Sequence, residues 1–308
     1  MSVVAAPRRA RRPIRPRAHP IRPGDVEETM AIASTTAALI ALVCVWALLQ
    51  MLVLGTLAQQ RDQHLRYAEF RSELAQATAP TGELDYRGRP IAPGSPVALL
   101  SIPRLGLQQV VVDGTASGDL MAGPGHLRST PMPGQAGVSV VMGRGSTYGA
   151  PFRRLATLSA GDRITVQNAT GKVSYTVQDV RRAGDPIPPA PSGATAGRLT
   201  LVTAQGSGFI GAVRPGSAVY VDATTQQATP AGVVAAAVPS SEQVMGRDSG
   251  ALPLLVLLLA VLAGLVLAVS VARRHVRAVL VWTCATPVAI ALAWAVTDQV
   301  MRLLPNLM

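Results

Sequence analysis

Two short segments of the chain carry polar side chains at close spacing, one in a glycine-rich run and one in a strand-like run. The first is Gly-Arg-Gly-Ser-Thr-Tyr-Gly-Ala-Pro-Phe at positions 143–152, and the second is Leu-Thr-Leu-Val-Thr-Ala at positions 199–204. Nucleophilic catalysis needs a reactive side chain and an acid or base within hydrogen-bond reach. Ala204 offers no nucleophilic atom, and Arg144 cannot shuttle protons because a guanidinium stays charged up to pH values near 12. The two segments therefore provide a frame without the groups that react.

Other reactive side chains do not fill this gap. Ser146 and Ser207 lie near the two segments, but a serine nucleophile needs a general base, and neither segment has a histidine or an adjacent carboxylate. His126 follows Gly-Pro-Gly, and we interpret it as a loop-structuring or substrate-rim residue, with surrogate acid as the alternative. Cys44 and Cys284 both fall in apolar stretches, so the region between those stretches has neither a thiol nor a disulfide. No Cys/His cluster has the spacing of a metal site, and we expect no metal and no cofactor.

The order of motifs along the chain resembles that of the sortases, the cysteine transpeptidases of bacterial cell surfaces, and most closely the actinobacterial class E type. The resemblance covers about residues 96–224. It is carried by the two segments above and by four further motifs: Ile-Pro-Arg-Leu-Gly-Leu at 102–107, Gly-Pro-Gly-His at 123–126, Pro-Gly-Gln at 133–135, and the leucines and Gly-Asp-X-Ile-X-Val of 155–166.

The resemblance implies a catalytic Cys at the position of Ala204, a His at Arg144 and an Arg near Ser217 or Ala218. None of the three is present, and Val138 stands where the family often has Asn. Arg144 is interpreted as a tolerated replacement or as a binding group for a carboxylate, because arginine suits planar anions. The candidate residues of a ligand groove are His126, Arg144, Tyr148, Thr203, Ala204 and Arg214.

The region that positions these residues is predicted to be β-structure. Short apolar or alternating runs occur at 97–102, 109–113, 137–142, 162–167, 173–177, 199–203 and 218–221, with frequent turn residues between them. This pattern indicates a closed barrel or a sandwich. The sequence shows no alternation of strands with helices, which is the pattern that would indicate a parallel sheet. The resemblance selects a sortase-like closed β-barrel, so the predicted fold class is mostly β with added membrane helices.

Three apolar stretches, at 30–57, 251–271 and 278–298, are long enough to cross a bilayer as helices. Seven arginines against three acidic residues precede Met30, and three arginines lie between the second and third stretches. Arginine-rich flanks stay in the cytoplasm. These clusters contribute most of the net charge of +11, and we expect no nucleic-acid partner. They predict a multi-pass membrane protein with a cytoplasmic N-terminus and an extracellular main domain.

The predicted order of segments follows from these features. The segments are a basic disordered cytoplasmic tail (1–29), a transmembrane helix (30–57), a stalk helix and linker (58–95), the sortase-like barrel (96–224), a linker (225–250), a transmembrane helix (251–271), a cytoplasmic loop (272–277), a transmembrane helix (278–298) and an outer tail (299–308).

The functional expectation is a catalytically inactive pseudo-transpeptidase. It would bind a peptide segment of a surface protein or assist an active sortase at the cell membrane. The alternatives are an active transpeptidase or peptidase that uses non-standard residues, and a structural membrane spacer. Turnover would distinguish the enzyme from the binder, and a cleft that binds peptide would distinguish both from the spacer.

Overall fold

The computed structural model describes residue 41 and residues 44–205, 217–232, 234, 237–275 and 277–308. Residues 30–40, 42 and 43 of the predicted span at 30–57 lie outside these residues, as do Ser207 and Arg214. The chain divides into two compact units, 1–46 and 47–308. The strands of the barrel and the site beside them lie in the second unit.

Eight strands form a closed barrel in the order β1-β2-β3-β4-β7-β8-β6-β5. The strands are β1 (Pro96–Ile102), β2 (Leu107–Asp113), β3 (Gly125–His126), β4 (Gly137–Met142), β5 (Arg163–Asn168), β6 (Gly171–Arg182), β7 (Gly197–Gln205) and β8 (Ser217–Thr225). The closed barrel confirms the predicted fold class.

Two strand pairs differ from a simple antiparallel barrel. β2 pairs with β3, and β4 pairs with β7, in parallel. The connection from β4 to β7 runs through the β5–β6 hairpin, so the chain makes this parallel pair without a crossover helix. This parallel pair was therefore not predicted, because the sequence lacks the alternation of strands with helices that usually indicates parallel strands.

The barrel interior is filled by the side chains of alternate strand positions. β5 and β6 show the alternation most clearly, with Ile164, Val166, Val173, Tyr175 and Val177 buried and the residues between them mostly exposed. Because side chains along a strand point to opposite faces in turn, one face of each strand enters the core. Leu199, Leu201 and Val221 belong to this interior cluster.

In the described part of the chain, four α-helices accompany the barrel. They are α1 (Gly55–Ala75), which follows a π-helical turn at Gln50–Leu54, the short α2 (Asp119–Ala122), α3 (Leu252–His275) and α4 (Ala278–Arg302). Within the described residues, two helical segments are long and apolar enough to cross a membrane, Ser249–Val269 and Val279–Arg302. Their bounds differ by a few residues from the predicted spans, since a helix can extend beyond its apolar stretch.

Candidate functional site

The end of β7 carries Ala204, and the register with β8 fixes what lies beside it. Ala204 pairs with Ala218, and Gln205 pairs with Ser217. Ala204 is two residues from Val202 and so shares its face of the strand. That face belongs to a small cluster separate from the barrel interior. The position therefore lies on the outer face of the barrel, where a covering segment is needed to bury it.

The loop after β4 lies directly against this strand end. The Gly143 N–H donates to the Val202 carbonyl at 2.9 Å, and the Thr203 hydroxyl donates to the Gly143 carbonyl at 3.0 Å. A Cβ built on Gly145 would lie 2.2 Å from the Ala204 carbonyl oxygen, and one on Gly143 would lie 2.5 Å from the Phe152 ring. The glycines on both sides of Arg144 are therefore required by close approach, whatever chemistry the loop performs.

Arg144 is fully buried, with no exposed surface. Its Nη2 donates to the carbonyl and the hydroxyl of Ser117, both at 2.8 Å. Its Nη1 donates to the Thr147 hydroxyl at 3.0 Å and to the Met308 main-chain oxygen at 3.1 Å. Burial lowers the pKa of Arg144 to about 10, so the side chain is still charged at neutral pH. Its partners are therefore the hydroxyls of Ser117 and Thr147 and the main-chain oxygens of Ser117 and Met308. Its Nε has no hydrogen-bond partner among the described residues.

The covering segment is residues 303–308, which follow α4. Asn306 and Leu307 have no exposed surface, and Met308 is 3% exposed. Leu307 packs in the cluster that contains Ala204 and Ala218. The chain's own segment therefore fills the space beside the position that the sortase resemblance assigns to the nucleophile.

The other predicted site residues that the structure describes include His126, Thr203 and Ser217. His126 is fully buried, with Nδ1 3.3 Å from Asp113 Oδ1 and Nε2 2.9 Å from the Thr130 carbonyl. These contacts connect β3 to Asp113 at the end of β2 and to the turn that follows β3. Thr203 is buried on the opposite face of β7 from Ala204. Arg214 lies outside the described residues, and Ser217 is the first residue of β8.

Tyr148 connects the loop to the apolar helices. Its hydroxyl donates to Asp298 Oδ1 in α4 at 3.0 Å, and Gln50 Nε2 donates to the same oxygen at 3.2 Å. The Arg144 guanidinium carbon lies 5.1 Å from the centre of the Tyr148 ring. Burial, followed by the nearby Asp298 carboxylate, raises the pKa of Tyr148 above its usual value. Tyr148 is therefore a neutral donor that joins the cleft to α4.

Five residues of the site were missed by sequence reasoning: Ser117, Thr147, Asn306, Leu307 and Met308. One signal was available for the last two, because an apolar Leu and Met follow a span in a segment expected to be solvent-exposed. No local pattern marks Ser117, which reaches Arg144 only through the fold. In the described part of the chain, no group of three or more His, Cys, Asp or Glu side chains could hold a metal ion.

The arrangement suits binding better than covalent chemistry. The groups that converge on the cleft are the Arg144 guanidinium, the Thr147 hydroxyl and the Gly145 N–H, which are all hydrogen-bond donors to main-chain oxygens. Ser117 and Thr147 are the hydroxyls nearest to Arg144, and both are engaged in hydrogen bonds to main-chain oxygens. No imidazole and no Asp or Glu carboxylate is among their described partners, so neither hydroxyl has a side-chain base of the kind that a nucleophile requires.

Comparison with known proteins finds relatives that are similar to this region. Residues 100–206 match the family model of the Sortase domain. Sortase D of Bacillus subtilis is 30% identical over 84 residues, which are 27% of this chain and 41% of that protein. The chain thus spans about two fifths of the length of this relative.

Solved sortase structures are also similar. A Sortase D5 transpeptidase of Clostridium perfringens has 19% identity and a TM-score of 0.43 over 53% of this chain and 97% of the other. Sortase E1 of Streptomyces coelicolor, solved with a tripeptide in its active site, has 21% identity and a TM-score of 0.38 over 45% and 93%. Residues 100–206 of the chain are thus similar to the Sortase domain.

Proposed function

We propose that this protein is a membrane-anchored, non-catalytic member of the sortase family that binds a peptide segment of a surface protein or assists an active sortase. The observation that carries the proposal is the side chain at the end of β7. Ala204 lies in the cleft where the family resemblance requires a nucleophile, and the adjoining loop offers Arg144 instead of an acid. Removal of the nucleophile from a comparable triad lowers the rate by about 10⁶.

Binding can outlast catalysis because ground-state contacts do not depend on the reacting groups. The cleft beside Ala204 holds polypeptide in this structure, namely residues 303–308, through a buried leucine and main-chain hydrogen bonds. This supports a peptide as the class of ligand. The contacts favour a ligand with an apolar anchor and with main-chain oxygens that accept hydrogen bonds.

The proposed location is the outer side of the cell membrane. Two described helices could cross a bilayer by length and composition. The arginine clusters before Met30 and at 273–277 would both stay in the cytoplasm. The barrel lies between these two clusters in the sequence, with one predicted span on each side of it, and would then be extracellular.

The test uses the full chain in lipid nanodiscs and fluorescent synthetic peptides from the sorting regions of surface proteins of the same organism. We expect saturable binding without hydrolysis or transpeptidation products by mass spectrometry. Peptide turnover by the unaltered protein would contradict the proposal and favour the enzyme. Absence of binding even after residues 303–308 are released from the cleft would favour the membrane spacer.

A further inference from the structure

We infer that residues 303–308 are an intramolecular ligand of the cleft beside Ala204, and that another peptide binds there only after displacing them. The cleft as a peptide site rests on the proposed function. The occupancy by the chain's own segment rests on contacts within the described residues and can be tested separately.

Polar contacts hold the main chain of this segment along its length. The Gly145 N–H donates to the Leu307 carbonyl at 3.0 Å, and the Asn306 N–H donates to the Gly246 carbonyl at 2.9 Å. The Met308 main-chain oxygen accepts from Thr147 Oγ1 at 2.6 Å and from Arg144 at 3.1 Å. Recognition through main-chain atoms does not depend on side-chain identity, so other extended peptides could use the same donors.

One side chain provides the apolar anchor. Leu307 is fully buried among Leu120, Met142, Val202 and the two alanines 204 and 218. The family resemblance implies a cysteine at 204 and an arginine near 217 or 218. A cysteine at 204, together with an arginine at 218, would occupy part of this space. The small residues at both positions make room for the leucine, so the loss of reactive groups and the seating of the segment are geometrically linked.

Asn306, next to Leu307, fixes the position of the 303–308 segment along the cleft. Asn306 Nδ2 donates to the Thr115 carbonyl at 2.8 Å and to the Gln243 carbonyl at 2.9 Å. These carbonyls belong to the barrel and to the segment that follows β8, so one side chain joins the 303–308 segment to both. A slip by one residue would break these bonds and remove Leu307 from its pocket.

The covalent attachment makes this ligand hard to displace. The segment starts directly after α4. Two hydrogen bonds hold the last turns of α4: Tyr148 donates to Asp298, and the Ser117 hydroxyl donates to the Met301 carbonyl at 3.1 Å. A tethered ligand acts at an effective concentration in the millimolar range when its linker is short. A free peptide must therefore bind strongly, or the α4 contacts must loosen, before the cleft opens.

The first experiment measures occupancy without any added peptide. The background is the full chain in nanodiscs with both native cysteines replaced, Cys44→Ala and Cys284→Ala. Met308→Cys is the reporter, and the rate at which a maleimide labels it is measured. Ala160→Cys, on an exposed turn, gives the labelling rate of an unprotected thiol. Because exposure of a buried group needs local opening, we expect Met308→Cys to react at least about tenfold more slowly. Adding Leu307→Asp should bring its rate to that of Ala160→Cys. The matched control Ile187→Asp, at a residue that is 75% exposed, should leave it slow.

The second experiment measures displacement with a fluorescent synthetic peptide that has the sequence of residues 300–308. We expect it to bind the Leu307→Asp protein at least about tenfold more tightly than the unaltered protein, because a tethered competitor lowers apparent affinity. A peptide with Asp in place of the leucine that matches Leu307 should bind neither protein.

The outcomes separate the two hypotheses. Labelling of Met308→Cys at the rate of Ala160→Cys in the otherwise unaltered background would overturn this inference, whatever peptides bind. A second outcome is that Met308→Cys is labelled slowly, that Leu307→Asp makes its labelling fast, and that neither peptide binds the Leu307→Asp protein. This outcome would uphold the intramolecular contact and contradict the proposed peptide-binding function. Equal binding of the leucine peptide to the released and unaltered proteins would overturn the claim of displacement.

Discussion

At the scale of single residues, the cleft is defined by three side chains that depend on one another. Ala204 leaves space, Leu307 fills it, and Arg144 holds the chain that carries Leu307. Arg144 is more than a neutral replacement for the family's histidine, because its donors hold two separate segments, the loop containing Ser117 and the residue Met308. That Arg144 binds a carboxylate of a ligand stays a prediction from the chemistry of arginine.

Arg144→Lys should destabilise the protein although it preserves the charge. A lysine ammonium cannot reproduce a planar fork that bonds Ser117 on one side and Thr147 with Met308 on the other. Loss of one or two buried hydrogen bonds to a charged group should cost about 3 kcal/mol. The thermal unfolding midpoint of the full chain in micelles should fall clearly, and an unchanged midpoint would show that the fork geometry does not matter.

The matched control for that prediction is Arg154→Lys. Arg154 is exposed and bonds only the Leu105 carbonyl among its described partners, so this substitution should change the midpoint little.

Asp119 should make the stability of the folded protein depend on pH. Burial, followed by the nearby Glu242, raises the pKa of Asp119 from 3.8 to about 6, while Arg128 and Arg302 act in the opposite direction. Between about pH 4 and pH 6 the folded state then holds a proton that the unfolded state has lost, so stability falls as pH rises through this window. Two pKa units correspond to about 3 kcal/mol.

The measurement compares thermal stability at pH 4 and pH 7 for the unaltered protein and Asp119→Asn. The difference between the two proteins isolates Asp119 from other carboxyls in the same range, such as Glu73 and Glu83, whose pKa values are also raised by burial. The variant should lose less stability than the unaltered protein as pH rises. Parallel curves would refute the assignment.

At the scale of elements, the strands were predictable and their long-range partners were not. Alternating residues predicted β5 and the first half of β6, and apolar runs predicted β1, β4 and β7, because one buried face imposes a period of two. β3 has only two residues, which is too short for a pattern. The packing of residues 303–308 is a contact between distant parts of the chain, and a local pattern cannot reveal which surface covers them.

The segment after β8 was expected to be a linker because it is rich in Ala, Thr, Ser, Gly and Pro. In the structure, residues 240–242 form a short 3₁₀ helix, and Glu242 is 3% exposed and paired with Arg128 through two hydrogen bonds. Composition describes the lack of regular structure in this segment but not its attachment to the barrel.

Glu242→Gln should therefore loosen the segment. It leaves the Arg128 guanidinium, which is partly exposed, without its carboxylate. Breaking a buried pair costs about 3–5 kcal/mol, and the partial exposure of Arg128 reduces this towards about 2 kcal/mol. Limited proteolysis between residues 226 and 250 should become faster. The surface pair of Arg66 with Glu69 is the control, because Glu69→Gln should cost well under about 1 kcal/mol.

At the scale of the whole molecule, the apolar helices and the barrel form one assembly in which α4 delivers a segment to the cleft. Tyr148 and Ser117 of the barrel bond Asp298 and Met301 of α4. A change in the position of α4 would therefore reach the cleft directly, without passing through the barrel core.

The proposed topology can be tested with reporter fusions. Fusions after Gln59 and after Gly250 should report an external location, and a fusion within 272–277 should report the cytoplasm, because arginine clusters are retained inside. A cytoplasmic signal at both of the first two sites would reverse the orientation and place the cleft inside the cell.

The most direct test of the account is a disulfide between the end of β7 and the segment that covers it. In the full chain without its native cysteines, Ala204→Cys and Leu307→Cys are combined and oxidised, and the linked peptides are sought by mass spectrometry. Because the two residues pack in one cluster, the account predicts an intramolecular 204–307 disulfide in most molecules, which Asn306→Asp should reduce by breaking the register. A pair that stays reduced, or that links only between molecules, would contradict the claim that the chain occupies its own cleft.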